Sequence, residues 1–445
     1  MSGVPPPPVL PVARQALTHG REIARLAVPA LGTLAADPLV TLVDTAFVGR
    51  LGPAALAALG IDAAIFSLAF IAFNFLQYGV TPMVGRLVGA GRTDEAAGVT
   101  RHALAIALGL GLAVAAAMTV CATWLVELMA APPEAVEGAV TYLRIRAWAA
   151  PAVMVVMAGN GAFRGHQDTV TPFRMTVVLN LVNLVLDPLL IFGLGWGLAG
   201  AATATLVAQV IGAGLFWAAM ARRGLVVRGP VRWAGLKPFG RVGWELAVRT
   251  GSLVLSITVA ARVAASLGTV AIAAHQIAIQ VWFFLALSTD ALAIAAQSMV
   301  SLRFGTGNGG DLRSVARELL GWGLVVGVVL GGVVAALAGV IPGWFTPDAA
   351  VATLASGLLW WVAALQLPGA LVFVWDGLYL GASRFTYLAV TTSLASAVAI
   401  GVLAAVDPRG WGVDGVWAGI ATLILLRWVA SAYGHRSGRL FSPVG

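Results

Sequence analysis

Two groups of polar residues stand inside stretches of sequence that otherwise read as membrane-spanning. Asp37 and Asp44 occur in "AADPLVTLVDTAFVGR", and Asn180, Asn183 and Asp187 occur in "NLVNLVLDP". An aspartate at the centre of a bilayer helix costs about 2.5–3.5 kcal/mol on insertion scales, so its presence calls for a functional reason. Carboxylate and amide oxygens can hold a proton or a small hard cation such as Na⁺, and the residue types do not separate the two. The pattern predicts a cation site within the membrane.

The spacing within each group places the side chains on one helix face. Residues seven apart lie on the same side of a helix, as do residues three and four apart. Asp37 and Asp44 therefore share a face of one predicted helix, and Asn180, Asn183 and Asp187 share a face of another.

Prolines lie close to these acids. Pro29 and Pro38 fall in the same predicted helix as Asp44, and Pro188 directly follows Asp187. Because proline removes a backbone hydrogen bond, bends are predicted beside the carboxylates.

The composition requires a membrane around these residues. Of 445 residues, 60% are hydrophobic and 10% are charged, whereas soluble proteins have about 25% charged residues. Apolar runs long enough to cross a hydrocarbon core about 30 Å thick recur along nearly the whole chain. They define twelve predicted helices, at 24–49, 55–85, 101–130, 138–163, 170–195, 198–221, 243–265, 270–302, 314–345, 352–379, 385–406 and 414–434. The predicted fold class is an all-α integral membrane protein.

Basic residues are unevenly distributed between the two sides that twelve helices define. With both termini on one side, that side holds 22 of the 27 Lys and Arg residues. The positive-inside rule then places both termini in the cytoplasm. The basic residues on the other side fall near predicted helix ends and are Arg50, Arg144, Arg146, Arg262 and Arg409.

The chain also contains an internal repeat. "GRLGPAALAALGI" (49–61) aligns with "ASLGTVAIAAHQI" (265–277) at an offset of 216 residues, with six identities in thirteen. The same offset pairs "VGAGR" with "FGTGN" and "NGAFRG" with "DGLYLG". Two homologous lobes of six helices follow, and because six is even, both have the same orientation. A pseudo-two-fold axis along the membrane normal relates them, as in some secondary transporters.

The polar cluster belongs to the first lobe alone. The repeat equivalents in the second lobe are apolar, namely Ala260 for Asp44, Ala399 for Asn183 and Leu403 for Asp187. This asymmetry indicates a specialised site in the amino-terminal lobe.

Together these features resemble the multidrug and toxic compound extrusion (MATE) transporter family, and specifically its DinF-like branch. The resemblance covers residues 20–435 and is carried, in chain order, by "PLVTLVDTAFVGRLG", "FRGHQDT", "NLVNLVLDPLLIFGLGWGLAGAATATLVAQ", "AAHQI", "AAQSMV" and "DGLYLGASRF". It implies a secondary active antiporter that exports organic, cationic and amphipathic compounds by alternating access. It also implies coupling to H⁺ or Na⁺ and no other cofactor.

The resemblance further implies which residues hold the coupling ion. Asp44, Asn183, Asp187 and Thr205 occupy the positions of the family's amino-lobe cation site, where they would bind H⁺ or ligate Na⁺. Asp37 and Asn180 are neighbours of that site by position.

Three more polar residues are candidates for the substrate cleft. Asp290 and Asp376 lie in the second lobe, and Asn160 is the repeat equivalent of Asp376. Such residues suit either substrate binding or a hydrogen bond between helices, and both interpretations stay open. Glu245 falls at the cytoplasmic start of its helix, so an ion site built on a mid-membrane glutamate is not expected in this lobe.

Other function classes find little support. The chain lacks a "GxxxxGK[ST]" phosphate loop and an "HExxH" metal motif, so it is not predicted to be an enzyme. No basic patch interleaved with aromatic residues indicates a nucleic-acid partner. Two transport alternatives remain. A citrate-like organic-anion exporter would use a cationic cleft residue such as Arg262, and a flippase for lipid-linked precursors would bury basic residues in the cleft.

The predicted organisation has five parts: a cytoplasmic proline-rich tail (1–20), an amino-terminal lobe (21–222), a basic cytoplasmic linker (223–242), a carboxy-terminal lobe (243–436) and a cytoplasmic tail (437–445). The predicted partners are a small-molecule substrate and membrane lipids, with no obligatory protein partner and a monomeric state. The high content of alanine and arginine in the chain indicates a bacterium with a GC-rich genome, so the predicted location is the inner (plasma) membrane.

Overall fold

In the computed structural model, which describes residues 12–307 and 309–441, every regular element is helical. Eleven spans are long and apolar enough to cross a membrane, and a pair of helices bent by 49° makes a twelfth. The spans are α1 (Val12–Gly49), α2 (Pro53–Gly89), α3 (Thr93–Val120), α4 (Pro133–Ala147 with Ala150–Gly165), α5 (Val170–Gly193), α6 (Gly197–Arg222), α7 (Trp233–Ser266), α8 (Thr269–Thr306), α9 (Gly309–Leu337), α10 (Ala349–Gly381), α11 (Phe385–Ala404) and α12 (Gly412–Arg436). The predicted all-α membrane fold with twelve spans is confirmed.

Two helices extend beyond the apolar runs from which they were predicted. α1 begins at Val12, inside the segment assigned to the tail, and α7 begins at Trp233, inside the segment assigned to the linker. Both extensions carry polar and basic residues, so hydropathy does not detect them. Lengthening an existing helix adds one hydrogen bond per residue without a new nucleation cost. The remaining tail residues, 1–11 and 442–445, lie outside the described residues.

The bend in α4 has a cause in the sequence. The helix breaks between Ala147 and Ala150, immediately before Pro151. Proline has no N–H to donate to the carbonyl of Ala147, and its ring crowds that carbonyl. The continuous helix predicted over 138–163 is therefore wrong at this point, and the polar residues of its first half are turned relative to its second.

The two lobes, α1–α6 and α7–α12, meet along only one half of their length. We call the side that carries both chain ends the terminal side, and the other the opposite side. A large apolar cluster that includes Leu76 and Leu292 joins the lobes near the terminal side, and a small one joins Ala30 of α1 to Ile294 of α8. Toward the opposite side each lobe packs on itself, around Phe66 in the first and around Trp417 in the second. The cleft between the lobes therefore opens to the opposite side.

Glycines allow the lobes to approach closely on the terminal side. Gly89 of α2 packs against the backbone of Leu302 and Gly305 on α8. A Cβ atom at Gly305 would overlap the carbonyl oxygen of Arg86 and stand 2.8 Å from Cα of Gly89. Only a residue without a side chain fits, because both obstructing atoms belong to the backbone.

Gly305→Ala is expected to destabilise the protein, although alanine is the better helix former. The added methyl group would force two backbones apart, and overpacking of this kind costs about 1–3 kcal/mol. Gly109→Ala on α3 is the matched control, since nothing lies within 4 Å of its Cβ position, and it should unfold at the same temperature as wild type or slightly higher. Thermal unfolding in detergent tests this, and equal midpoints for the two variants would contradict it.

Hydrogen bonds reinforce the same lobe contact. Side chains of one lobe donate to backbone carbonyls of the other, which fixes the register of the two lobes. The pairs are Gln297 Nε2 to the Tyr78 carbonyl at 2.6 Å, Arg86 Nη2 to the Ala382 carbonyl at 2.8 Å, and Ser298 Oγ to the Arg164 carbonyl.

The first helix contacts both lobes. Near its amino end, Glu22 binds Arg303 of α8 at 2.8 Å, and Arg303 also binds Asp311 of α9 at 2.8 Å. Its later half packs on α5 and carries Asp37 and Asp44. A change at these acids can therefore reach the lobe interface through a single element.

The predicted irregularity beside the acids occurs in α5. After Pro188 the helix continues as a π-helical turn, Leu189–Gly193. Such turns are rare in proteins overall, but they occur often at functional sites. α1, in contrast, runs as one helix through Pro29 and Pro38.

The motif "FRGHQDT" forms the turn between α4 and α5. Asp168 caps α5 by accepting hydrogen bonds from the backbone N–H of Thr171 at 2.9 Å and from its hydroxyl at 2.6 Å, and it pairs with Arg223 after α6. Partial burial alone would raise the pKa of Asp168, but the bonds from Thr171 and Arg223 outweigh it and hold the pKa below its usual value. The motif is thus explained as a helix cap that ties three helices together.

Candidate cation-coupling site

A cavity of about 800 Å³ lies within the amino-terminal lobe. Its walls come from α1, α2, α4, α5 and α6, and five of the predicted polar residues line it: Asp37, Asp44, Asn180, Asn183 and Thr205. Asp187, with only 1% of its surface exposed, lies beside Asp44. The structure therefore brings together the four residues assigned to the coupling ion and their two neighbours.

Asp44 and Asp187 form the centre of this group. Their carboxyl groups are immediate neighbours, one from α1 and one from α5. In the described part of the chain, no donor reaches either oxygen of Asp187 or Oδ1 of Asp44. Two adjacent carboxylates repel each other and lose hydration on burial, so a shared proton or a bound cation would stabilise the pair.

Amide and hydroxyl groups surround the pair. Asp37 lies beside Asn180, and Nδ2 of both Asn180 and Asn183 has no partner among the described residues. Rotation of an asparagine amide exchanges its oxygen and nitrogen, so either atom can face a ligand. The Thr205 hydroxyl donates to the Ala201 carbonyl at 3.1 Å, which leaves its oxygen lone pairs free. The site can thus supply the hard oxygen ligands that a small cation prefers.

Two charged residues of this lobe were not identified from the sequence. Asp62 on α2 is fully buried, and neither of its oxygens has a partner among the described residues. Arg146 on α4 lines the cavity with its guanidinium over the ring of Phe66. The insertion-cost argument that drew attention to Asp44 applies equally to Asp62, which interrupts the apolar run "LGIDAAIF".

Arg146 lies near a helix end, as expected, because it is in the last turn of the first segment of α4. This end is the break inside the bent span, and the side chain lines the cavity. The bend at Pro151 was needed to predict this placement. Arg262, the cationic residue named for anion export, is exposed on α7 and is not part of the amino-lobe cavity.

The other predicted polar residues lie elsewhere. Asn160 is buried in α4 away from the cavity lining. Asp290 of α8 accepts a hydrogen bond from Tyr78 of α2 at 3.4 Å, between the lobes. Asp376 of α10 is held by two arginines in the second lobe. The structure therefore does not bring Asn160, Asp290 or Asp376 to the coupling site.

Glu245 lies where the sequence placed it, in the first half of α7 toward the terminal side. It accepts hydrogen bonds from Thr386 at 2.7 Å and from Arg241 at 3.1 Å. The bond from Thr386 joins α7 to α11, and both bonds use the same carboxylate oxygen of Glu245.

Comparisons of the sequence and of the structure with known proteins find the same group of similar proteins. The MatE family profile matches residues 29–189 and 250–406, one segment in each lobe. Protein DETOXIFICATION 44, chloroplastic, of Arabidopsis thaliana is 34% identical over 434 residues, which cover 94% of this chain and 83% of the relative. DNA damage-inducible protein F of Escherichia coli is 27% identical over 92% of this chain and 90% of its own length. A crystal structure described as MATE in the bent conformation superposes with a TM-score of 0.86 at 24% identity and covers 96% of both chains.

Proposed function

This chain belongs to the MatE family of multidrug and toxic compound transporters, and we propose that it is an antiporter that exports organic, amphipathic compounds in exchange for H⁺ or Na⁺. It is a multi-pass membrane protein that handles small molecules, and it is not an enzyme. The proposal adds the direction of transport, the coupling ion and its site.

The Asp44–Asp187 pair is the observation that carries this proposal. Asp187 is buried, no donor in the described chain reaches its oxygens or Oδ1 of Asp44, and Asp44 lines the cavity. A group that must bind a positive charge to be stable, and that lies beside a cavity large enough for an organic compound, can link the two binding events. Either a proton shared by the two carboxyl groups or a Na⁺ ion held between them would supply that charge.

The proposed transport cycle uses the geometry already described. With the terminal side in the cytoplasm, the cleft faces outward, so an external ion reaches Asp44 and Asp187 from the cavity. Neutralising the pair changes the contact between α1 and α5, and α1 transmits the change to Arg303 at the lobe interface. Substrate leaves outward, the lobes rock, and the ion leaves to the cytoplasm. A membrane potential of 100 mV supplies about 2.3 kcal/mol for each net charge that the exchange moves, and one net charge per cycle sustains a gradient of roughly fifty-fold.

The proposed location is the plasma membrane with both termini in the cytoplasm, and the proposed functional unit is the monomer. The distribution of basic residues supports the orientation, and a complete cavity within one chain supports the monomer.

Gradient-driven transport by the purified protein is the direct test. Proteoliposomes would contain the protein, and ethidium movement would be followed by fluorescence under an imposed pH gradient, an imposed Na⁺ gradient, or neither. We expect transport under one gradient and none without a gradient. Equal movement under all three conditions, or none under any in correctly inserted protein, would reject the antiporter proposal.

Thr205→Val is expected to distinguish the two ions. The substitution keeps the shape of the side chain but removes an oxygen that a Na⁺ ion would use and a bound proton would not. Under Na⁺ coupling, the Na⁺ concentration for half-maximal transport should rise roughly tenfold, whereas under H⁺ coupling the pH-driven rate should change little. Thr203→Val is the matched control, because Thr203 lies on the same helix outside the cavity lining and its hydroxyl donates to the Ala199 carbonyl at 2.8 Å.

A further inference from the structure

One basic side chain lines the amino-lobe cavity without an anionic partner. Arg146 is the one Lys or Arg among the lining residues. Among the side chains that the structure describes, no carboxylate lies within 4.0 Å of its guanidinium. Its Nη1 donates a hydrogen bond to the Tyr142 hydroxyl at 3.4 Å. Since a guanidinium carries five N–H donors, most of its donor capacity is unused.

Aromatic rings hold this guanidinium in position. It lies over Phe66, 4.6 Å from the ring centroid, and 5.9 Å from the centroid of Tyr142. Phe66 in turn stacks on Phe70, with centroids 5.7 Å apart and planes at 14°. Stacking engages the face of the guanidinium and leaves its N–H edge free. Arg146 is therefore a positioned donor beside a flat aromatic wall.

The acids of this lobe do not satisfy Arg146. Asp44 and Asp62 feel its charge, but neither forms an ion pair with it. When Asp44 and Asp187 bind the coupling ion, their attraction for Arg146 weakens further. An unpaired guanidinium within a membrane protein is costly, so the cavity is complementary to an incoming anionic group at this wall and to a cationic group near α1.

We propose that Arg146 binds a carboxylate, or an equivalent planar anionic group, on the transported compound. The preferred substrate is then a flat amphiphile with both charges rather than a simple organic cation. The anionic group forms a two-bond contact with the guanidinium edge, the ring lies against Phe66 and Phe70, and the cationic end faces Asp37 and Asp44. This inference rests on the proposed function, because it defines the class of compound that enters the same cavity.

A pair of dyes that differ at one group tests the inference. Rhodamine B carries a cationic ring system and a free carboxylate, and in its ethyl ester that carboxylate is masked. Binding of each dye to the protein in lipid nanodiscs would be measured by fluorescence anisotropy without any ion gradient. We expect wild type to bind rhodamine B about tenfold more tightly than the ester, because one charge-assisted contact increases the affinity by about this factor.

The variants assign this preference to one residue. Arg146→Gln should remove the preference and leave the affinity for the ester unchanged, whereas Arg146→Lys should keep part of it through its charge. Arg144→Gln, at an exposed position two residues earlier on α4, should keep all of it.

Two results would overturn the proposal. The first is equal affinity of wild type for both dyes, which needs no variant and so does not depend on whether Arg146→Gln folds. The second is an equal loss of both dyes in Arg146→Gln, which would show a packing role on Phe66. The binding assay applies no gradient, so its result is independent of antiport. If the dye preference is present but no ion-driven transport is found, only the antiporter proposal is rejected. If ion-driven transport is found but the dye preference is absent, only the Arg146 site is rejected.

Discussion

Asp44→Asn is expected to abolish gradient-driven transport while the protein still folds and inserts. The amide keeps the size of the side chain and removes its capacity to take up a proton or to neutralise Na⁺. Since Asp44 meets Asp187 at the border between α1, α5 and the cavity, no other described group replaces it. Asp187→Asn should have the same effect, because either change breaks the pair. The measurement is ethidium transport in proteoliposomes under an imposed pH or Na⁺ gradient, with rates at the level of empty liposomes for both variants.

A matched substitution separates loss of coupling from general damage. Asp94→Asn changes an exposed aspartate in the first turn of α3 and should transport like wild type. Both variants should also keep the preference for rhodamine B over its ester in the absence of a gradient, since Arg146 and the aromatic wall are unchanged. If Asp44→Asn transported ethidium at the wild-type rate, the coupling site would have to be sought elsewhere, with Asp62 as the next carboxyl of the same lobe.

The sequence predicted the twelve spans and the amino-lobe cluster because both depend on local chemistry. Span positions follow from the free energy of transferring about twenty apolar residues into lipid. The cluster follows from the cost of a carboxylate in the membrane together with helical spacing, which put Asp37 and Asp44 on one face. The repeat added the contrast with the second lobe, where Ala260 replaces Asp44.

What the sequence did not predict depends on tertiary geometry. The position of Arg146 in the cavity was not predicted, because counting charges assigns residues to a side of the membrane and not to a depth, and the bend before Pro151 was not taken into account. The contact of Glu22 with Arg303 joins residues 281 positions apart, beyond the reach of any periodicity. Asp62 was within reach of the argument from insertion cost, and it was missed because it stands alone on its helix, without a second polar residue in register.

The second lobe contains a charge cluster of a different kind from the amino-lobe site. Asp376 of α10 accepts a hydrogen bond from Arg249 of α7 at 2.6 Å and from Arg427 of α12 at 2.5 Å. All three side chains are at most 15% exposed. Unlike Asp44 and Asp187, this carboxylate is already neutralised by protein groups. The sequence left two roles open for Asp376, substrate binding and a hydrogen bond between helices. The geometry favours the second, in which Asp376 joins three helices.

Asp376→Ala is accordingly expected to destabilise the protein strongly. It would remove the carboxylate that two buried arginines both contact, and removing one partner of a buried ion pair costs about 3–5 kcal/mol. Arg249→Met is the informative control, because it leaves Asp376 paired with Arg427 in a neutral contact and should cost less. Thermal unfolding in detergent measures both. If Asp376→Ala were no less stable than Arg249→Met, the carboxylate would not be holding the helices together, and a role in binding substrate or ion would then account better for its burial between two arginines.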